Sequence, residues 1–133
     1  MTTESNAGAR ILVVDDVEET RDSIERLLRK DGYSVDPARN EDDAVVTARR
    51  HPPSLIRVSS GGPASAVVAT AGRIRERAGL SEQLPVVVFG ADTVDEGVEL
   101  EIGKRVFVIR PDNFDQLRNF LARPMAGPRP PGV

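Results

Sequence analysis

Ile11, Leu12, Val13 and Val14 form an uninterrupted apolar run that ends abruptly in two acids, Asp15 and Asp16. A strand buried on one face alternates apolar and polar residues, so a continuous run closed by charge points to a strand covered on both faces. Such strands are central members of parallel sheets. Parallel neighbours cannot be joined by a tight hairpin, so each connection needs a crossover, usually a helix.

The rest of the chain supplies those crossovers. After the first strand, Val17, Ile24, Leu27 and Leu28 share a helical face, with Glu18 and Glu19 early, Arg29 and Lys30 late and Gly32 as a stop. Tyr33 to Asp36, closed by Pro37, suits an edge strand. Asn40 is placed to cap a helix over 41–50. Leu55 to Val58 form a third strand that breaks into Ser59, Ser60, Gly61, Gly62 and Pro63. Val67, Ala71, Ile74 and Ala78 line the next helix, and Val86 to Phe89 and Val106 to Ile109 are the fourth and fifth strands. A helix carrying Val94, Val98 and Ile102 is expected between them, weakened by Gly97, and Phe114, Leu117, Phe120 and Leu121 mark a closing helix. The pattern predicts a doubly wound five-stranded parallel sheet in a three-layer α/β/α sandwich.

The 133 residues suit one domain. Its folded part is expected over 10–121, between a small, polar start over 1–9 and a Pro- and Gly-rich tail over 122–133. With 18 Lys and Arg against 21 acids, net charge −3, the chain has no basic field for a phosphate backbone, which argues against nucleic acid as a partner. There is no cysteine, which excludes disulfides, thiolate metal sites and thiol nucleophiles. No apolar run reaches the length of a signal peptide or a membrane span, and a cytoplasmic location is expected.

In open α/β sheets the ligand crevice lies outside the carboxyl ends of the strands. That rule selects Asp15 and Asp16, Ser59 to Gly61, Gly90 with Ala91, and Arg110 with Pro111. Adjacent carboxylates repel, and either a hard cation such as Mg²⁺ or a basic side chain relieves the repulsion. Arg110 is the basic residue at the strand ends. Alternatively, one acid caps the first helix and the other faces solvent.

The run 11–16, the stretch 53–59 followed by Pro63, the stretch 85–91 and the stretch 107–111 resemble, in order and spacing, the receiver domain of bacterial response regulators. The resemblance implies a flavodoxin-like fold with strand order 2-1-3-4-5. In receivers the acidic pair and a third aspartate hold Mg²⁺, and the third aspartate takes a phosphoryl group from a histidine kinase. A Ser or Thr after the fourth strand and a Lys after the fifth contact that group. Asp15 and Asp16 match the pair, and Pro63 and Pro111 match two prolines. Phe107 stands at the aromatic switch position.

The chemistry departs from the pattern. Ser59 stands at the acceptor position, Gly90 at the hydroxyl position and Arg110 at the lysine position. A serine is not ionised at neutral pH and cannot share a metal with an incoming phosphoryl group as a carboxylate does. Mg²⁺ at Asp15 and Asp16 is therefore expected to be weak or absent, and no other cofactor is implied. Arg110 is expected to pair with one of the acids, its planar guanidinium being suited to a carboxylate.

These readings converge on a stand-alone, non-enzymatic pseudo-receiver that works by phosphorylation-independent contact with a signalling protein, such as a kinase or regulator. The expected surface includes Val94, Val98, Phe107 and Phe114, and a homodimer is left open. One alternative is a phosphorylatable regulator using unusual chemistry at the acidic pocket. Another is an anion- or nucleotide-binding domain using the turn over 59–63, which matches no nucleotide fingerprint. His51, at a helix end without a partner histidine, is assigned no role. Arg57 fits worst, a charge inside a strand expected to be covered on both faces.

Overall fold

The computed structural model describes residues 9–59, 64–89, 99–101, 105–109 and 119. In chain order the elements are β1 (Arg10–Asp15), α1 (Glu18–Lys30), β2 (Ser34–Ala38), α2 (Glu41–Arg50), β3 (Leu55–Ser59), α3 (Ala64–Arg77), β4 (Val86–Phe89), β5 (Glu99–Glu101) and β6 (Val106–Ile109). They form one sheet in the order β2-β1-β3-β4-β6-β5. Five strands are parallel and take the order 2-1-3-4-5 when counted among themselves, as expected.

Because side chains alternate across each strand, the sheet divides the core in two. Ile11, Val13, Val35, Leu55 and Val87 meet Ile24 and Leu28 of α1 on one face. On the other, Leu12, Val14, Ile56, Val58, Val86, Val88 and Val106 meet Ala44, Val45 and Ala48 of α2 and Val67, Ala71 and Ile74 of α3. The chain steps one way from β1 to β2 and the other way from β2 to β3 and β4. A single crossover handedness then requires α1 on the face opposite α2 and α3, as found. The order reverses between β1 and β3, which makes their carboxyl ends the walls of the crevice.

Local signals explain the element ends. The Asn40 side chain accepts the Asp43 N–H at 2.8 Å, and Asp43 accepts the Arg39 N–H at 3.0 Å. The start of α2 is thus closed reciprocally, an arrangement worth about 1 kcal/mol for the cap itself. Arg73 and Arg77 of α3 then bridge to Glu41, and Arg77 to Asp42, tying the two helices together across the surface. Pro37 lies within β2, where the sheet ends and one edge needs no donor. His51 is the exposed C-cap of α2.

Two expectations are corrected. Val17 does not join the buried face of α1; it is the N-cap residue and is 50% exposed, because the helix begins one residue later. The helix expected through Val94, Val98 and Ile102 does not run across 99–101, which instead pair antiparallel with β6, Leu100 opposite Val108. Glu99, Leu100, Glu101 and Ile102 alternate charged and apolar residues, the period of a strand, and Gly97 weakens the competing helix. Val94, Val98 and Ile102 lie outside the described residues, as does the closing helix except Asn119, which is helical.

Tyr33 is 7% exposed beneath α1. Burial, and secondarily the charge of Asp31, raise its phenol above the ordinary value of 10.0. A raised folded-state value means that the Tyr33 contribution is complete below about pH 10 and is lost as pH rises through the folded-state value. Urea unfolding should therefore show a drop in stability on the alkaline side of pH 10, and Tyr33→Phe should remove that part of the drop.

Candidate functional site: the acidic pocket and its buried arginine

Asp15 is the last residue of β1, and Ser59, the last of β3, stands opposite it in register. One pair back, Val13 faces Arg57, which faces Val87 on its other side. Alternation puts Asp15, Val13, Arg57 and Val87 on the α1 face of the sheet. Arg57 is 0% exposed and Asp15 2% exposed. A long side chain at Arg57 reaches along the strand toward the acid, and its Nη1 donates to Asp15 Oδ2 at 2.8 Å.

The other Asp15 oxygen is engaged as well. Oδ1 accepts the Val17 N–H at 2.9 Å, and the Asp15 main-chain carbonyl accepts a hydrogen bond from Arg21 Nη1 at 2.9 Å. The acid thus fixes the turn from β1 into α1, although neither acid is itself the N-cap. Asp16 is exposed and Ser59 half-buried. Asp15 and Asp16, adjacent in sequence, therefore occupy different environments, one enclosed with a guanidinium and one in water.

Removing two charges from water costs several kcal/mol per ion, and the mutual attraction at low dielectric offsets this only when the geometry is good. Burial lowers the Arg57 pKa, while hydrogen bonding and attraction from Asp15 act in the opposite direction. Arginine starts so far above neutrality that the guanidinium stays charged.

A divalent cation at this pocket would have to use Asp15, whose Oδ2 already faces a positive charge and whose Oδ1 holds a backbone N–H. At the end of β3 it would find a hydroxyl in place of a carboxylate. Among the described residues no group of three or more His, Cys, Asp or Glu is placed to hold a metal. The donors among the described residues do not fit Mg²⁺, which favours several oxygen ligands in near-octahedral array.

Of the residues selected from sequence, the structure places Asp15 and Ser59 together and Asp16 beside them but in solvent. Phe107 is half-buried against the α1-side cluster, with the Arg105 guanidinium 5.8 Å from its ring centroid. Arg105 takes a left-handed backbone, φ 57°, at the entry to β6. Gly90, Val94, Val98, Arg110, Pro111, Phe114 and the turn over 60–63 lie outside the described residues. The expected pairing of Arg110 with Asp15 or Asp16 falls on a residue outside the described ones; among the described residues Arg57, inside β3, is a cation bound to Asp15. Its signal was present in the sequence, because parallel register puts residue 57 on the same face as residue 15, one pleat behind it.

No protein-family model matches the sequence. The chain is 29% identical over 108 residues to the transcriptional regulatory protein DltR of Streptococcus agalactiae, in both a serotype III and a serotype V strain. That alignment covers 81% of this chain and 48% of DltR, so the chain spans about half the length of the curated relatives it matches. Among solved structures, the response regulator TrrA of Thermotoga maritima, in complex with Mg²⁺ and BeF, superposes with a TM-score of 0.64 at 22% identity. The match covers 87% of this chain and 98% of TrrA. The non-phosphorylated HemR receiver domain of Leptospira biflexa gives 0.65 at 20% identity, covering 92% and 98%. NtrX of Brucella abortus, solved with ADP, gives 0.67 at 21%, covering 89% of this chain and 26% of NtrX. The chain therefore has the flavodoxin-like fold of response-regulator receiver domains.

Removing either member of the buried pair should not have equal effects. Asp15→Ala leaves a buried guanidinium without its carboxylate and should cost about 3–5 kcal/mol. Arg57→Met, which fills similar space without charge, should cost less because Asp15 lies at the strand end and keeps its Val17 N–H. Urea unfolding of the two variants, followed by circular dichroism, checks the order.

Proposed function

We propose that the chain is a receiver-type signalling module that acts by protein–protein contact without being phosphorylated. The observation that carries this reading is the engagement of Asp15 by Arg57, with Ser59 rather than a carboxylate opposite it at the end of β3. Phosphoryl transfer to a carboxylate depends on an ionised acceptor and a cation shared with the incoming group. Ser59 is neutral at physiological pH, and the carboxylate beside it is already neutralised from within the fold. No Mg²⁺ and no turnover of substrate enter this reading.

Signalling then depends on a surface held in one state. Phe107 at the far edge of the parallel strands, packed on the α1-side core, is the described part of that surface; Val94, Val98 and Phe114 are the remaining candidates. The partner class is a signalling protein such as a kinase or another regulator. TrrA, to which this chain is similar in fold, has been solved in complex with the histidine kinase ThkA, which supports a protein partner of that class. Among the described residues no helix is long and apolar enough to cross a membrane, and we place the module in the cytoplasm.

Incubation with acetyl phosphate and Mg²⁺, followed by intact-mass measurement, tests the reading, with a receiver that carries an acceptor aspartate as a positive control. The mass of this chain should not change while the control gains one phosphoryl group. A stable gain of one phosphoryl group by this chain would establish the competing reading of a phosphorylatable regulator.

A further inference from the structure

We infer that Arg57 is the resident cation of the acidic pocket: its guanidinium neutralises Asp15 from inside the sheet and closes the pocket to divalent metal ions. The inference deepens the reading of this site as a receiver-type pocket and rests on it.

Three observations support it independently. The first is position: Arg57 lies in a central strand between Val13 and Val87, 0% exposed, a place where a charge has no packing advantage over an apolar residue. The second is geometry: Nη1 meets Oδ2 at 2.8 Å, while Oδ1 holds the Val17 N–H at 2.9 Å, so each Asp15 oxygen already accepts a hydrogen bond before any ion arrives. The third is charge: a metal drawn to Oδ2 would meet a guanidinium with little water between them, and like charges repel strongly at such range in a low dielectric. An arginine suits this task better than a lysine, whose ammonium loses its proton more readily on burial.

A mobile ion can come and go with the conditions, whereas a side chain cannot. With Arg57 in place, the β1 and β3 ends and the turn into α1 keep one electrostatic state whatever the metal concentration. Arg57 is thus a positioning residue for Asp15, and what separates this role from a merely structural ion pair is its effect on metal binding.

The test uses the full chain and Mn²⁺ as the probe ion, its uptake read from loss of the free-ion electron paramagnetic resonance signal. Wild type and Ser59→Asp should show no uptake at the pocket, because each keeps the Arg57 guanidinium against Asp15. Arg57→Met should take up Mn²⁺, Arg57→Met with Ser59→Asp should do so more tightly, and adding Asp15→Asn to either should abolish it. Uptake by wild type that Asp15→Asn removes, or a folded Arg57→Met variant that takes up none, overturns the inference. If the Arg57→Met variants do not fold, Ser59→Asp alone still decides: with its third carboxylate supplied and Arg57 retained it should remain closed, and Mn²⁺ binding there contradicts the proposal. Mn²⁺ uptake by wild type removes this inference alone, whereas a phosphoryl mass gain by wild type removes the reading of signalling without phosphorylation.

Discussion

The 2.8 Å ion pair between Arg57 and Asp15 is the contact on which the organisation of the strand ends depends. It joins the last residue of β1 to the interior of β3, the two strands between which the sheet order reverses. Through Asp15 it also holds the Val17 N–H and so sets where α1 starts. A single buried charge therefore links sheet, turn and helix. The energetic logic is asymmetric: the pair adds little over an apolar contact of the same shape, but neither partner is easily lost alone.

Around that pair the described residues form a parallel α/β architecture with one antiparallel edge strand. The two halves of the core are apolar and complementary, and the helices are closed by local signals, the Asn40 cap of α2 and the acid-to-base gradient along α1. These features place the strand ends but do not choose their chemistry. There Asp15 and Arg57 place a buried ion pair, and Ser59 places a hydroxyl opposite it.

Much of this was legible in the sequence. The apolar run over 11–14, the Pro37 edge and the helical faces of α1 to α3 specified a parallel sheet with helical crossovers, while the strand order was what the resemblance to receiver domains implied. Asp15 and Ser59 were found because strand ends are where such sheets present chemistry. The stretch over 99–101 was misread because an apolar residue at every second position near Gly97 can serve a strand, and a helix was expected from the crossover rule. Arg57 was seen as an anomaly but not as the answer. Attention to strand ends pointed to Arg110, which lies outside the described residues, and passed over a counter-charge one pleat inside, where a long side chain reaches forward along its own strand.

The measurement that bears most directly on this account is a double-mutant cycle at Asp15 and Arg57, using Asp15→Asn and Arg57→Met with the stability of all four proteins taken from urea unfolding. The account predicts strong coupling, about 1 kcal/mol or more, with the double variant less destabilised than the sum of the singles. Additive losses, with a coupling near zero, would contradict it.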